Sequence, residues 1–541
     1  MRPARGGADA LDRRPQLAAA LAAARAAKRS VVPATTFSTT AVRFGSILLQ
    51  PVVARGPLWR CRNAVNEQLL DERLAALEKA RAWSPRLVSR LESHIRTADD
   101  RALFRINAFT FAKERNLPEG EVIDLLLHST ALGLFSMDWA LFCPQCCCVV
   151  ESFRSLKSVH NHYHCAFCQI GYEAALDEYI AVTFTVSPVI REIDFHDPER
   201  LSAWNDFFKT RNTPDGVLRD GTPLVDAKAT LARVVSYLPP GETTSLEVEA
   251  SEGIIVGACP QGKAGMMVSV TGVPAQAAQT VSVPYGQKVH AHAMSEAAPG
   301  KIVFTLDNQT SERGMFVIAL LPPGFDLSSI PLRFVPFLTG KRLLTTQAFR
   351  DLFRSEVIKA SEGIGVKDIT LLFTDLKGST ALYDRIGDLN AFALVQQHFD
   401  LLQDVIVRRN GAIIKTIGDA VMAAFLEPVD AVAAALAMRT EIAAFNARQS
   451  DRPLILKIGI HKGAAIAVTL NERLDYFGQT VNIAARVQQL ADAGEIFISD
   501  DVHAAEGVQA LLCSQPVKSN VFKLRGVQQD LRVFCVATHD D

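Results

Sequence analysis

The sequence has no apolar run of about eighteen residues free of charge, the length a membrane-spanning helix needs. The nearest stretch, 125–142, is interrupted by His128 and Asp138, so no membrane span is expected. An excess of charge of one sign is also absent. Lys and Arg total 57 against 58 Asp and Glu, a formal net charge of −1, and no nucleic-acid partner is expected from such a balance. Cysteine is sparse outside one cluster: of 10 in the chain, six fall between residues 143 and 168. That distribution excludes a disulfide framework and points to a metal site in a reducing, cytoplasmic setting. Acidic residues are nearly missing from residues 1–60, which hold two Asp and no Glu against ten Lys or Arg. With its alanines and scattered prolines, this segment reads as a disordered basic extension. A chain of 541 residues predicts three or four domains.

What is present is concentrated first in residues 371–380, Leu-Leu-Phe-Thr-Asp-Leu-Lys-Gly-Ser-Thr. An apolar strand ends at Asp375, and Gly378, Ser379 and Thr380 open a helix. A carboxylate at a strand end suits a cation, and free N–H groups at a helix start suit a phosphate. Residues 412–425 hold two apolar runs around Ile417-Gly418-Asp419, which reads as a β-hairpin with Asp419 at its tip. Asp375 and Asp419 side by side would suit Mg²⁺, which takes one or two carboxylates plus substrate phosphates and water. In residues 475–487 a helix is predicted from Gly478 onward, and Asn482 and Arg486, four apart, share one face of it. An Arg so placed can stabilise charge that develops only in a phosphoryl-transfer transition state.

These pieces, over about residues 366–537, resemble the catalytic core of the class III nucleotidyl cyclases. The resemblance implies a ferredoxin-like, palm-like α+β domain. It makes Asp375, Asp419 and the backbone carbonyl of Leu376 the ligands of two Mg²⁺ or Mn²⁺ ions per site. It makes Lys415 and Asp475 the base-reading pair, Asn482 the ribose-orienting residue and Arg486 the transition-state residue. Lys523, with Arg525 beside it, is a looser triphosphate contact. Lys415 donates and Asp475 accepts, matching N1 and the exocyclic amine of adenine; guanylyl members typically carry Glu and a small polar residue or Cys. The implied reaction is ATP to 3′,5′-cyclic AMP and pyrophosphate, in a homodimer whose two composite sites draw acids from one protomer and Lys415, Asp475, Asn482 and Arg486 from the other. The competing readings are a guanylate cyclase and a non-catalytic nucleotide-binding module.

Upstream, residues 64–135 carry apolar residues at helical spacing over 66–83, 85–96, 102–115 and 119–133. They form either a winged-helix-like unit or a regulatory bundle; a basic recognition helix is missing. Cys143-x₂-Cys146 and Cys165-x₂-Cys168, eighteen residues apart, match a structural Zn²⁺ ribbon. Cys147, Cys148, His160, His162 and His164 crowd the same region and leave the ligand set open. Seven strand-like runs between 231 and 321 predict a β-sandwich. The expected organisation is a multidomain α+β chain: a basic extension (1–60), a helical domain with the ribbon (64–210), a β-sandwich-like domain (211–325), a connector (326–365) and the cyclase domain (366–541). The arrangement over about 64–325 resembles a region that accompanies some soluble bacterial class III cyclases, and its regulatory ligand or partner is unknown. Within the cyclase domain, 454–461 and 464–468 read as a hairpin turning at Gly463.

Overall fold

A computed structural model of the chain describes residues 64–538 except 169, 261–263, 286–293, 326–331, 360–361, 449–452 and 524–529. The basic extension and Arg525 lie outside the described residues. Four helices come first: α1 (Glu67–Ala80), α2 (Leu87–Thr97), α3 (Ala108–Glu114) and α4 (Glu119–Ala131). The helix expected from 102 starts only at Ala108. Asn107 caps it there, its side chain accepting from the N–H groups of Phe109 and Thr110. The apolar stripes of these helices, Leu70, Leu77, Leu91, Ile95 and Leu125 among them, are fully buried. They close over a three-stranded antiparallel sheet. Its strands are β1 (Phe135–Phe142), β2 (Val149–Phe153) and, after the cysteine-bearing hairpin β3 (His162–Cys165) and β4 (Ile170–Glu173), β5 (Ile180–Val186). Every residue of β5 is buried, Thr183 and Thr185 among them, as in a strand covered on both faces.

After β6 (Gly216–Val217) and α5 (Leu224–Leu231) come β7 (Ala232–Leu238), β8 (Thr243–Ala250), β9 (Gly253–Cys259), β10 (Ala264–Val270), β11 (Gln279–Tyr285), β12 (Met294–Ala297), β13 (Gly300–Asn308) and β14 (Gly314–Leu321). They form a five-stranded sheet, β12-β10-β9-β14-β7, and a three-stranded one, β11-β13-β8. Alternate residues of both, such as Ile255, Val268, Ile302, Phe304 and Ile318, make a shared core, the inward half of a period-2 pattern. The short strand β15 (Arg333–Phe334) pairs with β6, and two connector helices follow, α6 (Gly340–Leu344) and α7 (Gln347–Leu352).

The last unit is built on one large sheet. Its elements are β16 (Ile364–Leu376), α8 (Ser379–Ile386), α9 (Asp388–Arg408), β17 (Gly411–Ile417), β18 (Ala420–Phe425), α10 (Pro428–Ala447), β19 (Leu456–Leu470), β20 (Arg473–Phe477), α11 (Gln479–Leu490), β21 (Ile496–Ser499), the short helices α12 (Asp500–His503) and α13 (Val508–Leu512), β22 (Val517–Phe522) and β23 (Leu531–Val536). The strand order is β17-β18-β16-β19-β21-β23-β22, with β20 paired to β19 off this path. One face packs on α9 and α10 through Leu372, Val421, Leu402, Val405 and Met438. The opposite face, with Leu371, Phe373, Met422, Ala467 and Tyr476, joins the core of the N-terminal half. Leu176 N–H donates to the Gly365 carbonyl at 3.0 Å, and Lys341 pairs with Asp177 at 3.2 Å.

The hairpin expected at Gly463 does not form. β19 runs unbroken from Leu456 to Leu470 and turns instead at Asn471 and Glu472, both at positive φ (49° and 59°), before pairing with β20. Gly463 serves close packing: a Cβ there would lie 2.8 Å from Thr480 Oγ1 on α11. The glycine lets the helix settle on the strand, and a sequence pattern does not separate that from a turn.

Candidate active site

Thr374 is buried and its hydroxyl accepts from Val421 N–H at 3.1 Å, which fastens the start of β18 to the end of β16. The ladder pairs Phe373 with Met422; continuing it sets Asp419 across from Leu376 and beside Asp375. Gly418, at φ 64°, makes the turn that presents Asp419, a conformation costly for other residues. Burial first, and then the neighbouring Asp419 charge, push the Asp375 carboxyl above its usual range. Among the described residues Asp419 Oδ2 is buried without a hydrogen-bond partner. Two crowded carboxylates, one with a bare buried oxygen, are unfavourable alone and suit a divalent cation between them. The donor set therefore fits the metal that the motif implies.

Lys415 and Asp475 meet. Lys415 Nζ lies 2.6 Å from Asp475 Oδ2, and Asp475 Oδ1 accepts from Tyr476 N–H at 2.8 Å. Register shifts at Val366/Ile369 in β16 and Ile413/Lys415 in β17 bend the sheet, so that strands with no shared ladder bring these side chains together. On α11, Asn482 is exposed and Arg486 is half-buried, its Nη1 lacking a partner among the described residues. Among the described residues no ion pair joins Arg486 to Asp375 or Asp419. Gly378, at φ 75°, and Ser379 begin α8 as expected, and Thr380 is its second residue. Lys523 is exposed just past β22, with no ion pair among the described residues.

The four cysteines of the paired C-x₂-C motifs converge: Sγ atoms of Cys143, Cys146, Cys165 and Cys168 all lie within 4.8 Å of one another. Cys143 and Cys168 are 3.7 Å apart and Cys146 and Cys165 3.5 Å, close to the edge of a tetrahedron with metal–sulfur bonds of about 2.3 Å. Cys147 turns away at φ 56°, towards Gly216. Cys148 accepts instead from Lys228 Nζ at 3.0 Å. Lys228 also donates to the Cys146 carbonyl at 3.0 Å, so its cation faces the thiol cluster. Nothing in the sequence tied residue 228 to the cysteines; eighty positions of chain separate them. The connector residues Gln347 and Arg350, which bond to β17 and to Leu474 of β20, were equally invisible, because their partners are backbone groups.

Residues 364–535 match the family described as "Adenylate and Guanylate cyclase catalytic domain". This segment is a class III adenylate/guanylate cyclase domain. Residues 69–351, just over half of the chain, match "Family of unknown function (DUF5939)", and the chain belongs to that family. Among curated proteins it is similar to "Putative adenylate cyclase 3" of Rhizobium meliloti (strain 1021), 28% identical over 182 residues, 34% of this chain and 30% of that one. It is also similar to "Adenylate cyclase 1" of the same organism, 32% identical over 136 residues, 23% of this chain and 20% of that one. The chain thus spans less than a third of these relatives' length. A crystal structure of the adenylyl cyclase CyaB from P. aeruginosa is 23% identical, with a TM-score of 0.28, covering 33% of this chain and 97% of that one. Among the described residues no helix is long and apolar enough to cross a membrane.

Proposed function

We propose that the chain is an adenylate cyclase that converts ATP to 3′,5′-cyclic AMP and pyrophosphate, working as a cytoplasmic homodimer regulated by its N-terminal half. The observation that carries this reading is the Lys415–Asp475 pair at 2.6 Å, a donor and an acceptor set for the adenine edge. Asp375, Asp419 and the Leu376 carbonyl hold Mg²⁺ or Mn²⁺, which supplies neutralising charge for the triphosphate and acidifies the ribose 3′-OH. Asn482 orients the ribose, and Arg486, with a free Nη1 donor, faces the charge that builds at the α-phosphate. The amides at Gly378, Ser379 and Thr380 face phosphate oxygens, and Lys523 adds a cation at the triphosphate. In one chain the unpartnered Arg486 donor and the unpartnered Asp419 oxygen do not meet, which supports a site completed by a second copy. Zn²⁺ held by Cys143, Cys146, Cys165 and Cys168 has a structural role, since four thiolates leave no open position.

The test is product analysis with ATP and with GTP, in Mn²⁺ and in Mg²⁺, beside Asp375→Ala. Cyclic AMP from the wild type alone is expected. Cyclic GTP in its place would overturn the base assignment and leave the reaction class standing. Absence of any product, from the full chain and from residues 362–541 alone, would favour the non-catalytic module.

A further inference from the structure

The helix α7 belongs to the segment shared with the family of unknown function, which runs to residue 351, yet its polar side chains bond to the catalytic sheet. Gln347 Oε1 accepts from Ile413 N–H at 2.8 Å. That amide sits at the register shift between Ile413 and Lys415, where the direction of the Lys415 side chain is decided. Three residues on, and so on the same helix face, Arg350 Nη1 donates to the Leu474 carbonyl at 3.0 Å. Its guanidinium lies 5.9 Å from the centre of the buried Tyr476 ring. Leu474 and Tyr476 are the two neighbours of Asp475, so one side chain brackets the acid from both sides. Arg350 Nε is itself fixed on the Leu344 carbonyl of α6 at 2.8 Å, and Phe349 between the two polar residues is fully buried. The helix therefore grips both strands that carry the pair, two residues before Lys415 and immediately before Asp475. Those strands share no ladder, so no sheet hydrogen bond sets the distance between the two side chains.

We propose that Arg350, with Gln347 one turn before it, is a positioning residue for nucleotide-base selection, setting the spacing of the Lys415–Asp475 pair from the N-terminal side. This rests on the reading of Lys415 and Asp475 as base readers. The consequence is that a rearrangement of the N-terminal half that shifts α7 alters which base is accepted and how tightly, before it alters the metal acids on β16 and β18.

The experiment uses the full chain with Arg350→Ala, Arg350→Lys, Gln347→Ala and Lys415→Ala. It measures kcat and KM for ATP and GTP, affinity for ribose-labelled fluorescent ATP and GTP analogues, and thermal midpoints. Arg350→Ala is expected to raise KM for ATP and lower the ATP/GTP ratio of kcat/KM by about tenfold each, with kcat changed less than about threefold. Gln347→Ala is expected to move the same quantities less, and Arg350→Lys to recover part of the ratio by reaching one carbonyl. Unchanged selectivity in Arg350→Ala, or a loss confined to kcat and the thermal midpoint, would overturn the proposal. Should the wild type turn over neither nucleotide, the ratio of analogue affinities is the readout, with the same expected loss. An unchanged ratio in Lys415→Ala would instead overturn the base-reader assignment on which the proposal stands, and that result is independent of Arg350.

Discussion

Lys415 Nζ and Asp475 Oδ2, 2.6 Å apart, close an ion pair between two strands that share no backbone ladder. The partners are unequal: the Asp475 side chain is 8% exposed and that of Lys415 37%. Removing the lysine leaves a nearly buried carboxylate whose remaining hydrogen bond, among the described residues, comes from the Tyr476 N–H, with the nearby Arg350 cation offsetting its charge only in part. Lys415→Ala should therefore lower kcat/KM for ATP by about 10²-fold or more. Lys415→Glu combined with Asp475→Cys should turn the preference towards GTP. Chromatography of the cyclic products checks both, and retained ATP preference in the double variant would contradict the pairing.

Arg486 presents a buried Nη1 with no partner among the described residues. A donor left bare in the resting chain is unfavourable unless the reaction uses it. Arg486→Ala should lower kcat by roughly 10²–10³-fold, the scale of one transition-state donor, with KM for ATP nearly unchanged. A loss of less than about tenfold would remove Arg486 from that role.

Composite sites predict complementation. Asp419→Ala and Arg486→Ala should each be inactive alone. Mixed at equal amounts after subunit exchange, half of the dimers carry both changes and keep one intact site each. Activity should then return to about one quarter of wild type, given free exchange in a two-fold dimer. A mixture no more active than its components would mean that a single chain supplies both residues of each site.

The candidate site was legible because each of its parts is local in sequence. A strand-end acid, a hairpin tip and a helix face at i, i+4 are short patterns with direct physical meaning, and the structure brings Asp375 beside Asp419 and Lys415 to Asp475. The ribbon spacing named Cys143, Cys146, Cys165 and Cys168 in the same way. What stayed hidden involves backbone or distance. Gly463 reads as a turn because glycine favours turns, yet it admits the Thr480 side chain of α11, a contact between strand and helix. The turn actually used falls on Asn471 and Glu472, of which only Asn is a usual choice. Strand β12 and helix α5 escaped notice because each is brief and neither pattern is strongly periodic. The grip of Arg350 on Leu474 has no signature at all, since any residue offers a carbonyl.

The cysteine cluster predicts one Zn²⁺ per chain by elemental analysis. Loss of the ion to a chelator, or Cys146→Ser, should lower the thermal midpoint of the N-terminal half, because metal-binding free energy is also folding free energy. Cys147→Ser should leave the zinc content unchanged, as its thiol faces Gly216. A drop in zinc on Cys147→Ser would reassign the ligand set.

His398 lies on α9 under the sheet, fully buried, and both of its ring nitrogens lack a partner among the described residues. Burial pushes its pKa down to about 4, against a smaller opposite pull from Asp419. A histidine lowered in the fold stays neutral there while the unfolded chain takes up a proton near pH 6.5. Its contribution to stability is complete above about pH 6.5 and is lost as pH falls from there to about 4, because the unfolded state binds the extra proton. The loss over that window is on the order of 3 kcal/mol. His461 behaves alike: it is buried, its pKa is pushed down to about 4, and its Nδ1 lies 2.9 Å from Ser499 Oγ. His398→Leu keeps a similar volume and removes two unsatisfied polar atoms. It should leave stability at pH 7.5 unchanged or higher and flatten part of the fall between pH 6.5 and 4, His461 and the other histidines lowered by burial, His94 and His196, keeping the remainder. Denaturant unfolding across that pH range checks it. An unchanged acid slope together with lost stability at pH 7.5 would mean that the imidazole is bonded in solution and titrates normally.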